Sequence, residues 1–210
     1  MKAKTIKGQS PEEIKEALAK CLADDFSPTL AIVFLSIKQD RDAVCELLDK
    51  KAIAIYGATT NGEFTDEGIS AGEIAILLLN INPTYFCISF EEFTENNYRQ
   101  TTQSIAKKAL LHGFEDILGK SVNVNGGMAG DDFGFKENFV FTNGKASNNG
   151  IATIVVDEDK VSIKGRATHG WSAIGTEKTV TKSEGNHVYT IDDTPVVDLI
   201  IKYGGLQNVT

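Results

Sequence analysis

The chain is short of several residue types, and each shortage excludes something. Among 210 residues there are three cysteines, Cys21, Cys45 and Cys87, far apart and without a C-x-x-C pair. That excludes a disulfide framework and the usual zinc spacings, so no metal is expected. Basic residues are outnumbered, 21 against 29 acidic, for a net charge of −8. No Lys/Arg cluster forms a basic face, which argues against nucleic acid and against anionic membrane surfaces as partners. Long apolar runs are missing as well. No run is longer than that at residues 74–79, which has the length of a strand and falls far short of the roughly 20 residues that span a bilayer. The first eight residues are polar and lysine-bearing, with no apolar segment behind them, so no secretory signal is expected. A reducing cytoplasmic setting fits these absences. Nucleophile motifs are absent too: there is no G-x-S-x-G, no H-E-x-x-H and no Cys with a His close in sequence. No catalytic residue is assigned and no cofactor is expected.

What is present is ordinary globular composition, 41% hydrophobic and 24% charged. A chain of this length buries roughly 70% of the surface its unfolded form exposes, so its core needs no covalent staple. Ser10-Pro11-Glu12-Glu13 starts a helix, with Ser10 as cap and Glu13 completing a capping box. Ile14, Ala17, Leu18, Cys21 and Leu22 follow on one face. Residues 29–36 (TLAIVFLS) read as a strand covered on both faces, 40–50 as a second helix, and 52–56 as another buried strand. That alternation favours parallel pairing. Strands are then expected at 73–79 and 84–90, joined as a hairpin through Asn80-Ile81-Asn82-Pro83. A long helix is expected over 95–111, and short strands at 121–124, 138–142, 150–156, 160–166, 176–181 and 187–191. Asn143-Gly144 signals a hairpin, and a last helix is expected over 195–203. There is no linker and no internal repeat. The predicted fold class is α/β of the mixed α+β kind: a large, partly antiparallel mixed sheet flanked by helices, or two packed sheets (αββα), in a single domain over 1–210.

Three segments offer ligand chemistry. Residues 57–64 follow a buried strand, where open α/β sheets place their ligands. Thr59, Thr60 and Asn61 carry hydroxyl and amide groups there, and Gly57 and Gly62 permit close backbone approach. The plainer alternative is a turn that satisfies its own backbone. Residues 126–132 (GGMAGDD) lack the G-K-[ST] of a phosphate loop. Gly126 and Gly127 give freedom, while Asp131 and Asp132 repel phosphate and suit an amine or a cation. The alternative is an acidic solvated turn. His169-Gly170-Trp171 contains the only tryptophan and a histidine able to titrate near neutrality, or else a half-buried core pair. His112 and His187 read as structural.

At these residues the chain resembles a known family. Thr59-Thr60-Asn61-Gly62-Glu63-Phe64 is similar to the S-[ST]-x-G-E-[IF] segment of the N-terminal FIST domain, and residues 126–132 to its G-G-x-A-x-D segment. Phe139-Val140-Phe141, Asn143-Gly144 and Gly150-Ile151-Ala152 resemble its strand-turn-strand continuation. His169-Gly170-Trp171, Ile174-Gly175 and Val180-Thr181 resemble its later G-W-x-x-[IG]-G…V-T stretch, with Gly185-Asn186 and Leu199 fitting the tail. The resemblance spans about 25–205. It implies an intracellular sensory module of signal transduction that binds a small ligand, amino acids having been proposed for the family. It also implies, as partner, a C-terminal FIST part or a signalling output domain, neither of which these 210 residues contain. Two other expectations stand beside it: an interaction scaffold, and a small-molecule hydrolase using Asp131, Asp132 or His169. On the ligand reading, Thr59, Thr60 and Asn61 hydrogen-bond the ligand, Asp131 or Asp132 holds an ammonium group, and Trp171 forms an apolar wall.

Overall fold

The computed structural model describes residues 1–66, 68–93, 126–134, 136–165, 172–173, 175–185 and 187–204. The expected helix at 95–111, the strand at 121–124 and the residues His112, His169 and Trp171 lie outside them. The chain divides into two compact units, residues 1–166 and 167–210.

The first unit is built on a six-stranded mixed sheet. Strand β1 is Lys2–Gly8, β2 Leu30–Ser36, β3 Ala54–Thr60, β6 Ile74–Asn80, β8 Val140–Thr142 and β9 Lys145–Ser147, in the spatial order β1-β6-β2-β3-β8-β9. Only β2 and β3 run parallel, and helix α2 (Arg41–Asp49) makes the crossover between them. Helix α1 (Pro11–Leu22) lies against β1 and touches α2. Both helices start as their sequences dictate. The Ser10 Oγ accepts from the Glu13 amide at 3.3 Å, and the Asp40 carboxyl accepts from the Ala43 amide at 2.9 Å. Glu13 reaches back one residue further than a standard capping box, accepting from the Gln9 amide at 2.8 Å.

Alternation along the strands sends one set of side chains into the helices. Ala31, Val33 and Leu35 of β2, Ile55 of β3, and Ile74, Ile76 and Leu78 of β6 join Ile14 and Leu18 of α1 and Val44 and Leu48 of α2 in one buried cluster. Each such Ile or Leu contributes about 1.5–3 kcal/mol by leaving water. Phe141 of β8 is fully buried in the same cluster. It lies opposite Gly57 of β3, where a Cβ would overlap the Phe141 ring. This, and not a ligand, is what needs glycine at 57.

The mixed class with one large sheet agrees with the sequence reading, and several details correct it. Strand β1 was not expected. Lys2 and Lys7 are exposed at the sheet's edge, Lys4 is half-buried with its Nζ donating to the Cys21 carbonyl, and Ile6 and Gly8 are buried, so its polar look is that of a half-wet edge strand. The 74–80 and 86–92 strands form no hairpin. Asn82 caps a 3-10 turn, Pro83–Tyr85, that carries the chain out of the large sheet into a second one, where β7 (Phe86–Glu92) pairs antiparallel with β10 (Gly150–Val156). The Asn143-Gly144 turn does close a hairpin, with Gly144 at φ +68°, but its second strand is the short β9. Described residues 160–165 form turn and irregular backbone, not a strand. Finally, the expected loop at 57–64 is largely sheet. Strand β3 runs on to Thr60, and Glu63–Thr65 (β4) pairs with Gly68–Ser70 (β5).

The second unit holds strands β11 (Val180–Glu184), β12 (His187–Ile191) and β13 (Thr194–Pro195) in an antiparallel sheet. Helix α3 (Val196–Gly204) follows and touches β12 and β13.

Candidate functional site

The parallel pair β2 and β3 ends in register at Ser36 and Thr60. Beyond the carboxyl ends of these strands the chain has no ladder left to pair with, so side chains do the pairing. Five polar groups converge there: Ser36, Lys38, Asn61, Glu63 and Asp132.

Ser36 is fully buried. Its Oγ donates to Asp132 Oδ2 at 2.6 Å and accepts from the Lys38 amide at 3.2 Å. The Lys38 Nζ lies 3.4 Å from the same carboxylate oxygen, on a side chain 75% exposed, whereas that of Asp132 is 13% exposed. The other oxygen, Asp132 Oδ1, is buried and has no hydrogen-bond partner among the described residues. An unmet buried acceptor costs about 1–3 kcal/mol, so Asp132 Oδ1 is an oxygen that a further donor would satisfy.

The two segments picked out by sequence do meet. Asn61 Oδ1 accepts from the Asp131 amide at 2.8 Å and from the Phe133 amide at 3.3 Å. The Gly130 amide donates to the Thr59 carbonyl at 2.7 Å. A Cβ on Gly130 would overlap the Asn61 amide oxygen, so this crossing requires glycine. Just beyond it, Asp132 and Phe133 have φ of +56° and +61°. Two successive non-glycine residues in the left-handed region are uncommon, and a bulky one is a genuine outlier. The Gly134 amide donates to the Asp131 carbonyl at 3.0 Å and closes the turn; Asp tolerates this backbone, whereas at Phe133 it stores about 1–3 kcal/mol.

The individual roles differ from those expected. Thr59 is buried, and its Oγ1 accepts from the Phe139 amide at 2.9 Å, binding β3 to the approach to β8. Thr60 Oγ1 donates to Glu63 Oε1 at 2.7 Å, while Glu63 Oε2 accepts from the Glu73 amide at 3.1 Å. Glu63 is 1% exposed and thus ties the end of β3 to the start of β6. Asp131 Oδ2 accepts from the Lys136 and Glu137 amides at 2.7 and 3.3 Å. Thr59, Thr60 and Asp131 are therefore framework, and Asp132 is the carboxylate with an oxygen to spare. Gly126 and Gly127 are exposed, and a Cβ on either would meet nothing within 4 Å, so neither needs to be glycine for close approach. Gly62 has only the Ser70 carbonyl near, at 3.3 Å.

Sequence reading missed Ser36, Lys38 and Glu73. The signal was available, because the carboxyl-end rule applied to β3 applies equally to its parallel neighbour β2. Glu73 Oε1 accepts from the Gln9 side-chain Nε2 at 3.3 Å, and Oε2 is a second buried acceptor without a partner among the described residues. A hydrogen bond from the Ser70 side chain, helped by Gln9, keeps the Glu73 carboxyl below the usual range. Arg41 stacks its guanidinium 4.7 Å above the Phe139 ring and so braces the approach to β8 from the first turn of α2. Cys45 has no part in this chemistry: burial pushes its thiol up to about 11, away from the reactive thiolate.

Among the described residues no three His, Cys, Asp or Glu side chains are grouped to hold a metal ion, and no helix is long and apolar enough to cross a membrane. No curated protein and no solved structure matches the chain. A family model does: that of the FIST N domain, over residues 29–194, which takes in both segments that meet at Asn61. With most of its length matched, the chain belongs to the FIST N domain family, generally a sensory and signal-transduction module.

Proposed function

We propose that this FIST module senses a small amino-bearing ligand, an amino acid, at the carboxyl ends of β2 and β3. The carrying observation is the buried, unpartnered Oδ1 of Asp132. A carboxylate whose second oxygen is already served by Ser36 and Lys38 suits one further donor, and an ammonium group supplies charge with it. Lys38, 75% exposed, is placed to turn toward the ligand's carboxylate, so that the two ends of a zwitterion find opposite partners. Ser36, Asn61 and Glu63 hold these groups in place and need not touch the ligand. The reading assigns binding and no chemical step. It takes residues 1–210 as one N-terminal-type FIST module in the cytoplasm, passing the signal to a C-terminal FIST part or an output domain.

The test is thermal unfolding of the protein with each of the twenty L-amino acids. At one hundred times Kd a ligand stabilises the folded state by about 2.7 kcal/mol, an easily measured rise in Tm. Absence of any rise across the panel overturns the reading.

One observation favours a second reading, an interaction module. Phe64 and Ile69 face each other across the β4–β5 hairpin while 75% and 90% exposed. Exposed apolar pairs of this kind mark contact surfaces when they belong to a larger patch. Replacing both by serine should abolish binding of a separately expressed C-terminal FIST part and leave the amino-acid response intact.

A further inference from the structure

We propose that Asn61 is a positioning residue: its side-chain oxygen clamps the left-handed turn at 132–133 and so sets where Asp132 presents its free oxygen. The proposal rests on the ligand reading above and gives Asn61 a role other than ligand contact.

Three observations support it. First, the turn needs support beyond its own closure. The Gly134 amide donates to the Asp131 carbonyl at 3.0 Å and closes it, and Asp132 tolerates a positive φ, but the bulky Phe133 at φ +61° does not, so a restraint from outside the turn helps to hold it. Second, Asn61 Oδ1 takes the amides on both sides of Asp132, those of Asp131 and Phe133. The Asp131 amide belongs to the peptide before Asp131 and the Phe133 amide to the one after Asp132, so fixing both to one atom holds the Asp131–Asp132 pair at its two ends, and the Asp132 carboxylate stays over Ser36. Third, the approach is built for this contact. Gly130 leaves room for the Asn61 oxygen where any Cβ would overlap it, and the Gly130 amide donates to Thr59 two residues before Asn61. Asn61 itself follows directly on β3, so the clamp is anchored to the sheet, and the turn takes its position from a rigid strand.

The clamp separates two functions of one turn. The Asp131 side chain, bonded to the Lys136 and Glu137 amides, braces the turn from its far side, and Asn61 fixes it to the sheet. Loss of the Asn61 oxygen should release the turn locally while the core cluster stays folded. Asn61→Asp keeps an oxygen that accepts the same two amides, whereas Asn61→Ala does not.

Amide hydrogen exchange read residue by residue tests this on the whole chain, together with the Tm rise produced by an equimolar mixture of the twenty L-amino acids. In Asn61→Ala the Asp131 and Phe133 amides should exchange at least tenfold faster than in the unmodified chain, with amides of β2 and β3 unchanged. The mixture-induced rise in Tm should fall by half or more. Asn61→Asp should recover both. If Asn61→Ala does not fold, Gly130→Ala serves, since its added methyl displaces the same oxygen and should produce the same losses. Unchanged protection of the two amides overturns the proposal. So does lost protection accompanied by an undiminished Tm rise. A mixture that leaves the unmodified protein's Tm unchanged overturns the ligand reading instead, and amide exchange alone then decides whether the clamp exists.

Discussion

Strands β2 and β3 pass through two environments within a few residues. Along their middle, Ala31, Val33, Leu35 and Ile55 are sealed beneath α1 and α2, apolar against apolar. At their carboxyl ends the same ribbons present Ser36, Thr59 and Thr60, which are polar, enclosed and committed to side-chain partners. The first environment gains stability from burial and tolerates no gap. The second accepts left-handed backbone at Asp132 and Phe133 and a buried oxygen with no donor. Local backbone strain beside an unmet buried oxygen, at the end of a well-packed sheet, is consistent with the proposed binding role. The apolar middle provides the stability that the polar end spends.

Substitutions in each region should behave differently, and the largest effect belongs to the middle. Phe141→Ala empties a fully buried site and should cost about 3–5 kcal/mol of folding stability by chemical denaturation. The ligand-induced stabilisation measured on whatever folds should keep its size, and a proportionate loss would break the separation of the two regions. Gly57→Ala sits between them. Its methyl runs into the Phe141 ring, and overpacking of this kind should cost about 1–3 kcal/mol. A ligand response weakened beyond the stability loss would show how far the middle controls the end. The smallest effect is the acid limb of stability. Glu73 is held below its ordinary value by the Ser70 hydrogen bond and by Gln9. Its contribution is therefore complete above the unfolded-state value of about 4.3 and is lost as pH falls through its lower folded value. Glu73→Gln should flatten the stability profile in that acid window and leave neutral pH little changed. A profile with the same acid slope in both proteins would remove Glu73 from the account.

The legible parts of the sequence were those where local signals agree with tertiary need. Ser10-Pro11 marked the start of α1, and the apolar runs at 29–36 and 52–56 marked the parallel pair. Where a strand is half wet, as β1 is, its lysines hid it. Where two strands follow one another, the sequence could not say that they join different sheets, and Asn82 and Pro83 look alike in a hairpin and in the turn that separates β6 from β7. At the site, the chemistry of each segment was readable, and so was the idea that the two segments meet. The division of labour was not, because it depends on long-range pairing. Asp131 and Asp132 are neighbours with one formula, and only the placement of Ser36, 96 residues away, makes the second the carboxylate with an unserved oxygen.

Calorimetric titration of the protein with the amino acid giving the largest Tm rise, repeated on Asp132→Asn, tests the central claim most directly. Asparagine keeps the shape and can still accept from Ser36, but it removes the charge an ammonium group needs. Heat and saturation are expected in the unmodified protein, and a loss of at least tenfold in affinity in Asp132→Asn, with Tm in the absence of ligand nearly unchanged. Equal affinity in the two proteins would contradict that claim.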